Sequence, residues 1–300
     1  MSKIRIGMSG WTFEGWRGGF YPKGLVQRRE LEFASRQVNS IEVNGTFYSL
    51  QKPPTFQKWH DETPDDFCFS IKAPQYITHI RRLKDVSEPL ANFFASGLFC
   101  LQAKLGPILW QFPPNVTLKD DRFAKFFEIL PRTTKEALII AKKHSAKMND
   151  RAFLEIDADR PLRHAFEFRH PSFMTEDFIH LLRQNNVALV FAHSGLKSPY
   201  SEDLTADFIY ARMHGQDATY KNGYPDKIQS WWANRVTTWS KGQQPIDAIC
   251  ISSDPPANGP RDSYIYFDTE AKDHAPLDAL NLANKLGLSL ASDRNRFKVG

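Results

Sequence analysis

Short apolar or alternating runs, each closed by a turn signal, recur eight times: IRIGMS (4–9), SIEVN (40–44), FCFSIK (67–72), PILWQF (107–112), AFEFRH (165–170), ALVFAH (188–193), FIYARMH (208–214) and YIYFD (264–268). Runs of this length and content read as strands. Between most of them the apolar positions take helical spacing, as in LEFASRQV, VSEPLANFFASGLFCLQAKLG, EDFIHLLRQNN, KIQSWWANRVTTWSKG and DALNLANKLG. Repeated strand–helix alternation predicts a parallel sheet with right-handed crossovers. Eight units predict an α/β fold closed as a (β/α)8 TIM barrel, one domain over residues 1–300, with an open doubly wound sheet as the alternative. The stretch from about 132 to 163 is too long for a simple connection and predicts a helical insertion between the fourth and fifth strands, on the outside of the barrel.

Strand side chains alternate between faces, so each run can be divided into a set that packs under helices and a set that faces the barrel axis. Ile41 and Val43 go outward and leave Glu42 and Asn44; Phe67, Phe69 and Ile71 leave Ser70 and Lys72; Ile108, Trp110 and Phe112 leave Gln111. Phe166 and Phe168 leave Glu167 and Arg169, Ile209, Ala211 and Met213 leave Arg212 and His214, and Ile265 and Phe267 leave Asp268. The first strand leaves Gly7 and Ser9, and the sixth leaves His193. These polar positions fall at the carboxyl ends of their strands, where barrel enzymes build their sites. Two readings stay open: a functional pocket, or a closed salt-bridge network of Glu42, Glu167, Lys72, Arg169 and Arg212 that fills the barrel. His170, followed by Pro171, reads as a loop cap.

Composition changes this picture little. A formal charge of +5 and a pI near 9.0 lean toward anionic partners, and 41% hydrophobic against 24% charged residues exclude a disordered chain. Three widely spaced cysteines with no CxxC pair indicate neither a disulfide framework nor a cysteine zinc site. The opening MSKIRIGMSGW lacks the apolar core of a secretion signal and no apolar run approaches a membrane span, so the expectation is a soluble, cytoplasmic chain with no membrane partner. Neither GxGxxG after a strand nor GxxxxGK[ST] occurs, which leaves dinucleotide and P-loop readings without support.

Seven segments in order, IGMSGW (6–11), WRGGFYP (16–22), IEVNGTFY (41–48), FSIKAPQYITH (69–79), KLGPILWQFPP (104–114), FEFRHPSF (166–173) and YARMHG (210–215), resemble the YecE-like family, domain of unknown function 72. The resemblance implies a TIM barrel related in shape to the xylose isomerase and endonuclease IV group, and no established reaction. It places the family's motif residues on Glu42, Asn44, Lys72, His79, Gln111, Glu167, Arg169, Arg212 and His214. Two departures stand out: Phe173 where many relatives have Trp, and FDTEAKDHA, with Asp268, where they carry an Asn-rich segment.

Lys72, Arg169 and Arg212 set three cations against the carboxylates Glu42 and Glu167, a set suited to binding phosphate or carboxylate. An anionic, phosphorylated substrate is therefore the first expectation. In phosphoester hydrolysis, Glu42 or Glu167 would take a proton from water and His214 would give one to the leaving oxygen, with Asn44, Lys72, His79, Gln111, Arg169, Arg212 and Trp11 holding the substrate. The alternatives are a nucleic-acid-binding or regulatory protein without turnover, and a carbohydrate isomerase or epimerase by fold analogy. Glu42, Glu167, His193, His214 and Asp268 offer N and O ligands for zinc or manganese, but no HxH or HExxH spacing groups them. No cofactor is assigned, and a divalent metal stays open. The first loop, SGWTFEGWRGGFYP, is either an aromatic lid for a sugar or base or a glycine-shaped loop packed on its own rings.

Overall fold

The computed structural model describes residues 2–195, 198–215, 220, 222–269 and 272–288. Its regular elements begin with β1 (Ile4–Ser9), α1 (Glu30–Gln37), β2 (Ser40–Val43), α2 (Gly45–Tyr48), α3 (Pro53–Glu62), β3 (Cys68–Lys72), α4 (Ser87–Ala95) and β4 (Leu105–Gln111). They continue with α5 (Arg122–Ile129), α6 (Thr134–Ala141), β5 (His164–Glu167), α7 (Glu176–Gln184), β6 (Ala188–His193), β7 (Phe208–Met213), α8 (Asp226–Ser240), β8 (Asp262–Phe267) and α9 (Ala275–Lys285). The strands follow one another in chain order as a closed (β/α)8 barrel, and every recorded strand pairing is parallel. Backbone contacts divide the chain into two compact units, Met1–Glu42 with Met174–Gly300, and Val43–Phe173.

In the first unit, β1 pairs with β2 and β8, and β7 pairs with β6 and β8. Gly7 is required at the β1–β2 pairing because a Cβ there would lie 1.7 Å from the Ser40 carbonyl oxygen. The helix α7 forms because Thr175 caps its start, accepting from the Phe178 amide, and because Phe178, Ile179 and Leu182 bury one stripe. The segment FDTEAKDHA runs out of β8 into α9, and its Glu270 and Ala271 lie outside the described residues.

In the second unit, β4 sits between β3 and β5. The long apolar run from 86 is one helix only as far as Ala95; Gly97, at φ 119°, turns the chain into 3-10 turns over Leu98–Lys104 that are broken by a kink at Gln102, at φ 50°. The insertion between β4 and β5 carries α6, capped by Thr133 and packed on α4. Sequence periodicity carries the fifth strand to 170, but β5 stops at Glu167, so Arg169 and His170 belong to the following loop. His170 indeed caps that loop: its Nδ1 accepts from the Ser172 amide (3.1 Å) and lies 2.9 Å from Ser172 Oγ, which accepts from the Leu118 amide. Phe173 is buried against Phe168 at 4.1 Å, so it serves the core.

Candidate functional site

Among the described residues, the charged groups at and just past the strand ends fall into two sets, one in each unit. In the first unit, Glu42 is fully buried and both its oxygens are occupied. Oε1 accepts from Ser9 Oγ (2.7 Å) and Arg212 Nη2 (2.8 Å); Oε2 accepts from Tyr210 Oη (2.7 Å) and Arg212 Nε (3.0 Å). The same Nη2 reaches Asp268 Oδ2, just past the end of β8. Arg212 is likewise fully buried, so its guanidinium is held edge-on by two carboxylates, the bidentate geometry in which arginine is strongest.

His214 completes this group. Its Nε2 lies 3.3 Å from Arg212 Nη1, and a guanidinium only donates, so Nε2 is the acceptor and Nδ1 carries the proton toward the Asp268 carbonyl at 3.2 Å. Glu42, Arg212, Asp268 and His214 thus form one hydrogen-bonded network, which contains Glu42 and Arg212 of the five residues in the salt-bridge alternative. On the neighbouring strand, His193 is buried, with Nδ1 3.0 Å from the Tyr224 hydroxyl, which itself accepts from the Gly215 amide at 2.8 Å. Burial, and secondarily the nearby His214, lower the His193 pKa to about 4.

In the second unit, Glu167 is buried at the last position of β5. Its Oε1 accepts from Gln111 Nε2 (3.1 Å) and from Arg169 Nε (3.1 Å) and Nη2 (3.0 Å). Lys72 ends β3 with its ammonium 4.3 Å over the ring of Phe47, a cation–π contact that carries the charge in a buried position. Phe47 also meets the edge of His79, which sits on a single π-helical turn, Tyr76–Ile80, and whose Nδ1 pairs with Thr78 Oγ1 at 2.8 Å. The His79 pKa falls to about 4, chiefly through burial and then through the charges of Lys72 and Arg169, against a smaller opposite pull from Glu167. At neutral pH the imidazole is uncharged, and the group holds two cations and one carboxylate.

Asn44, just past β2, has an Oδ1 that is buried and unpartnered, and nearby Thr46 Oγ1 donates to the Lys72 carbonyl (2.7 Å). A buried acceptor of this kind is ordinarily met by a water, an ion or a ligand donor. Trp11 is half-buried in the first loop, with the Tyr21 hydroxyl donating to its carbonyl. The loop's Trp16 and Tyr21 are buried, and Phe13, Trp16, Phe20 and Tyr21 pack on one another, as the self-packed reading of that loop requires. Among the described residues, no three His, Cys, Asp or Glu side chains come together to hold a metal, and no helix is long and apolar enough to cross a membrane.

Ser9, Lys72, Gln111, Glu167 and His193 are the last residues of their strands, while Asn44, His214 and Asp268 come one residue later. The chain is thus a (β/α)8 barrel with polar groups at the carboxyl ends of its strands. Within that class, the chain belongs to the family described as protein of unknown function DUF72, whose model matches residues 5–297. It is 31% identical over 126 residues to the UPF0759 protein YunF of Bacillus subtilis, a match covering 40% of this chain and 44% of that one. It is 32% identical over 110 residues to the UPF0759 protein YecE of Escherichia coli K12, covering 37% and 38%. The chain therefore spans less than half the length of these curated relatives. Among solved structures, it matches a DUF72 family protein of Thermotoga maritima MSB8 with a TM-score of 0.68 at 21% identity, covering 95% of this chain and 99% of the other. A DUF72 family protein of Enterococcus faecalis V583 matches with a TM-score of 0.64 at 16% identity, over 96% and 99%. At such identities the structural likeness speaks for the fold alone.

Proposed function

We propose that this chain binds an anionic, phosphate-bearing small molecule and hydrolyses its phosphoester, with Lys72 and Arg169 as the anion-holding groups. The observation that carries the reading is the charge count around His79. Among the described residues whose charges act on His79, two are cations and one is a buried carboxylate, and burial together with the two cations keeps the imidazole neutral. Glu167 fixes one edge of the Arg169 guanidinium, which pre-orients the rest of the fork for phosphoryl oxygens. Lys72 adds a point charge, and the orphan Oδ1 of Asn44 an acceptor for a substrate hydroxyl. In the reaction, a water oxygen bonds to phosphorus, its proton passes to Glu167, and the ester P–O bond breaks with the electron pair leaving on the alcohol oxygen, which takes up a proton from solvent while Glu167 returns its own to solvent. The cations offset the charge that develops on the phosphoryl group.

Titration calorimetry with inorganic phosphate and ribose 5-phosphate tests the binding, and release of p-nitrophenol from its phosphate ester tests the chemistry. Lys72→Met and Arg169→Gln should each weaken binding about 10- to 100-fold, the worth of one charge-assisted hydrogen bond. The melting temperature of Lys72→Met should stay near that of the parent, whereas Arg169→Gln, which takes the cation from buried Glu167, should melt lower. Affinity unchanged in both variants would remove the basis for this site.

A second reading, nucleic-acid binding without turnover, is favoured by a different feature of the same unit. A surface groove of about 340 Å³ is lined by Arg81, Arg82, Lys84, Lys119 and Arg122, of which Arg81 is paired with Asp85 and Arg122 with Asp120. Arg82, Leu83 and Asp85 hold left-handed backbone there, at φ 49°, 67° and 48°. If the groove takes a single strand, the affinity for labelled oligo-dT should fall with log salt at roughly 0.7 per phosphate neutralised, and Lys84→Glu with Lys119→Glu should flatten the slope by about 1.4. A salt-independent signal, or one that both substitutions leave alone, would dismiss this reading.

A further inference from the structure

The carboxyl end of β6 opens into a second cavity, of about 500 Å³, whose walls include His193, Ser194, Tyr200, Lys227, Trp231 and Ile249. Three of these walls are fixed by one buried carboxylate. Glu202, fully buried, accepts from the Tyr200 hydroxyl at 2.7 Å and from Arg235 Nε at 2.6 Å. The Arg235 guanidinium lies 3.5 Å over the Trp231 ring, and Glu202 Oε2 accepts from the Ile249 amide at 3.2 Å. Tyr200, Trp231 and Ile249 are thus set in place by the same ion pair, which none of them shares with the Glu42 network.

At the floor, Ser194 is only 5% exposed, and its hydroxyl has no hydrogen-bond partner among the described residues. Buried hydroxyls are nearly always bonded, so this one points to a polar atom that arrives from outside. Beside it, burial keeps His193 neutral above pH about 4, so the floor carries no charge. Lys227, exposed at the rim, is the one ionic side chain in the described lining, and the walls between it and the floor are apolar or aromatic. A volume of this size falls within the roughly 300–1,000 Å³ of small-molecule sites.

We propose that this cavity binds a flat aromatic anion: the ring between Trp231 and the isoleucines, a ring heteroatom or hydroxyl on Ser194 Oγ, and the anionic group on Lys227. The site is independent of the phosphate reading above, because all its residues belong to the other unit.

Fluorescence titration of the full chain with 1-anilinonaphthalene-8-sulfonate, against the uncharged N-phenyl-1-naphthylamine, tests it. The expected result is saturable one-to-one binding of the sulfonate, at least fivefold weaker for the neutral probe. Lys227→Met should bring the sulfonate down to the level of the neutral probe. Ser194→Leu, which fills the floor, should abolish binding of both while leaving the melting temperature unchanged. Should that variant fail to fold, Ile228→Asp at the half-buried wall takes its place with the same expectation. Equal binding of the two probes would overturn the anionic assignment, and one-to-one binding that survives the folded floor or wall variant would overturn the site.

Discussion

Replacing Arg212 by Met should cost about 3–5 kcal/mol of folding stability, the penalty for stranding a buried charge. Glu42 has no access to water, and without the guanidinium it loses the bidentate cation that neutralises it and is left with neutral donors such as the hydroxyls of Ser9 and Tyr210, while Asp268 loses the same partner. Urea unfolding at pH 7 measures the loss. The double variant Arg212→Met, Glu42→Gln should recover much of it, since removing both members of a buried pair costs far less than removing one. A single-variant loss below about 1 kcal/mol would mean that Glu42 has another means of neutralisation.

The second large effect is on acid stability. His164 accepts from the indole of Trp110 at Nδ1 (3.1 Å), and its Nε2 faces the Pro131 carbonyl (2.7 Å), so the neutral ring satisfies both neighbours. A proton on Nδ1 would face another N–H. Burial lowers the pKa of His164 to about 4, as it does that of His193. A histidine whose folded pKa is depressed contributes stability that is complete above its unfolded pKa of about 6.5 and drains away as the pH falls toward 4, because the unfolded chain binds the proton first. Each contributes a slope of ~1.4 kcal/mol per pH unit inside that window, ~2.7 for the pair.

Asp278 opposes them. Burial raises its pKa to about 6, and its Oδ2 has no partner, so the folded state takes up a proton there before the unfolded chain does. From His164, His193 and Asp278 together the expected net slope between pH 6 and 4 is therefore ~1.4 kcal/mol per unit, half-buried His79 adds to it in the same direction, and Asp278→Asn should steepen it by a further ~1.4. Denaturant midpoints at pH 7, 6, 5 and 4.5 read both slopes directly; a flat profile would contradict the burial of these imidazoles.

Much of the barrel is visible in the sequence because alternation is a local property. Glu42 and Arg212 could be placed on inward positions without knowing that they meet, and the pairing register then brings Ser9 opposite Glu42 on the adjacent strand. Tyr210 shares the parity of Arg212 and belongs to the same network, yet an aromatic side chain in a strand reads as core, so its hydroxyl went unnoticed. The end of β5 was hidden because FEFRH continues the alternation beyond the last ladder bond, and only the loop cap formed by His170 and Ser172 ends it. The π turn that carries His79 has no sequence signature, being one residue of excess winding. The β6 cavity was least legible: Tyr200 with Glu202, Arg235, and Ile249 come from three separate segments, and their joint geometry depends on one buried ion pair.

The Glu42–Arg212 pair joins residues 170 positions apart. A ribosome therefore releases Glu42 long before the guanidinium that neutralises it has been made, and the carboxylate must stay hydrated throughout that interval. The amino-terminal strands cannot mature early as an independent nucleus. Final closure has to wait for the chain's last third, which makes truncated translation products of this protein natural clients of chaperones and proteases.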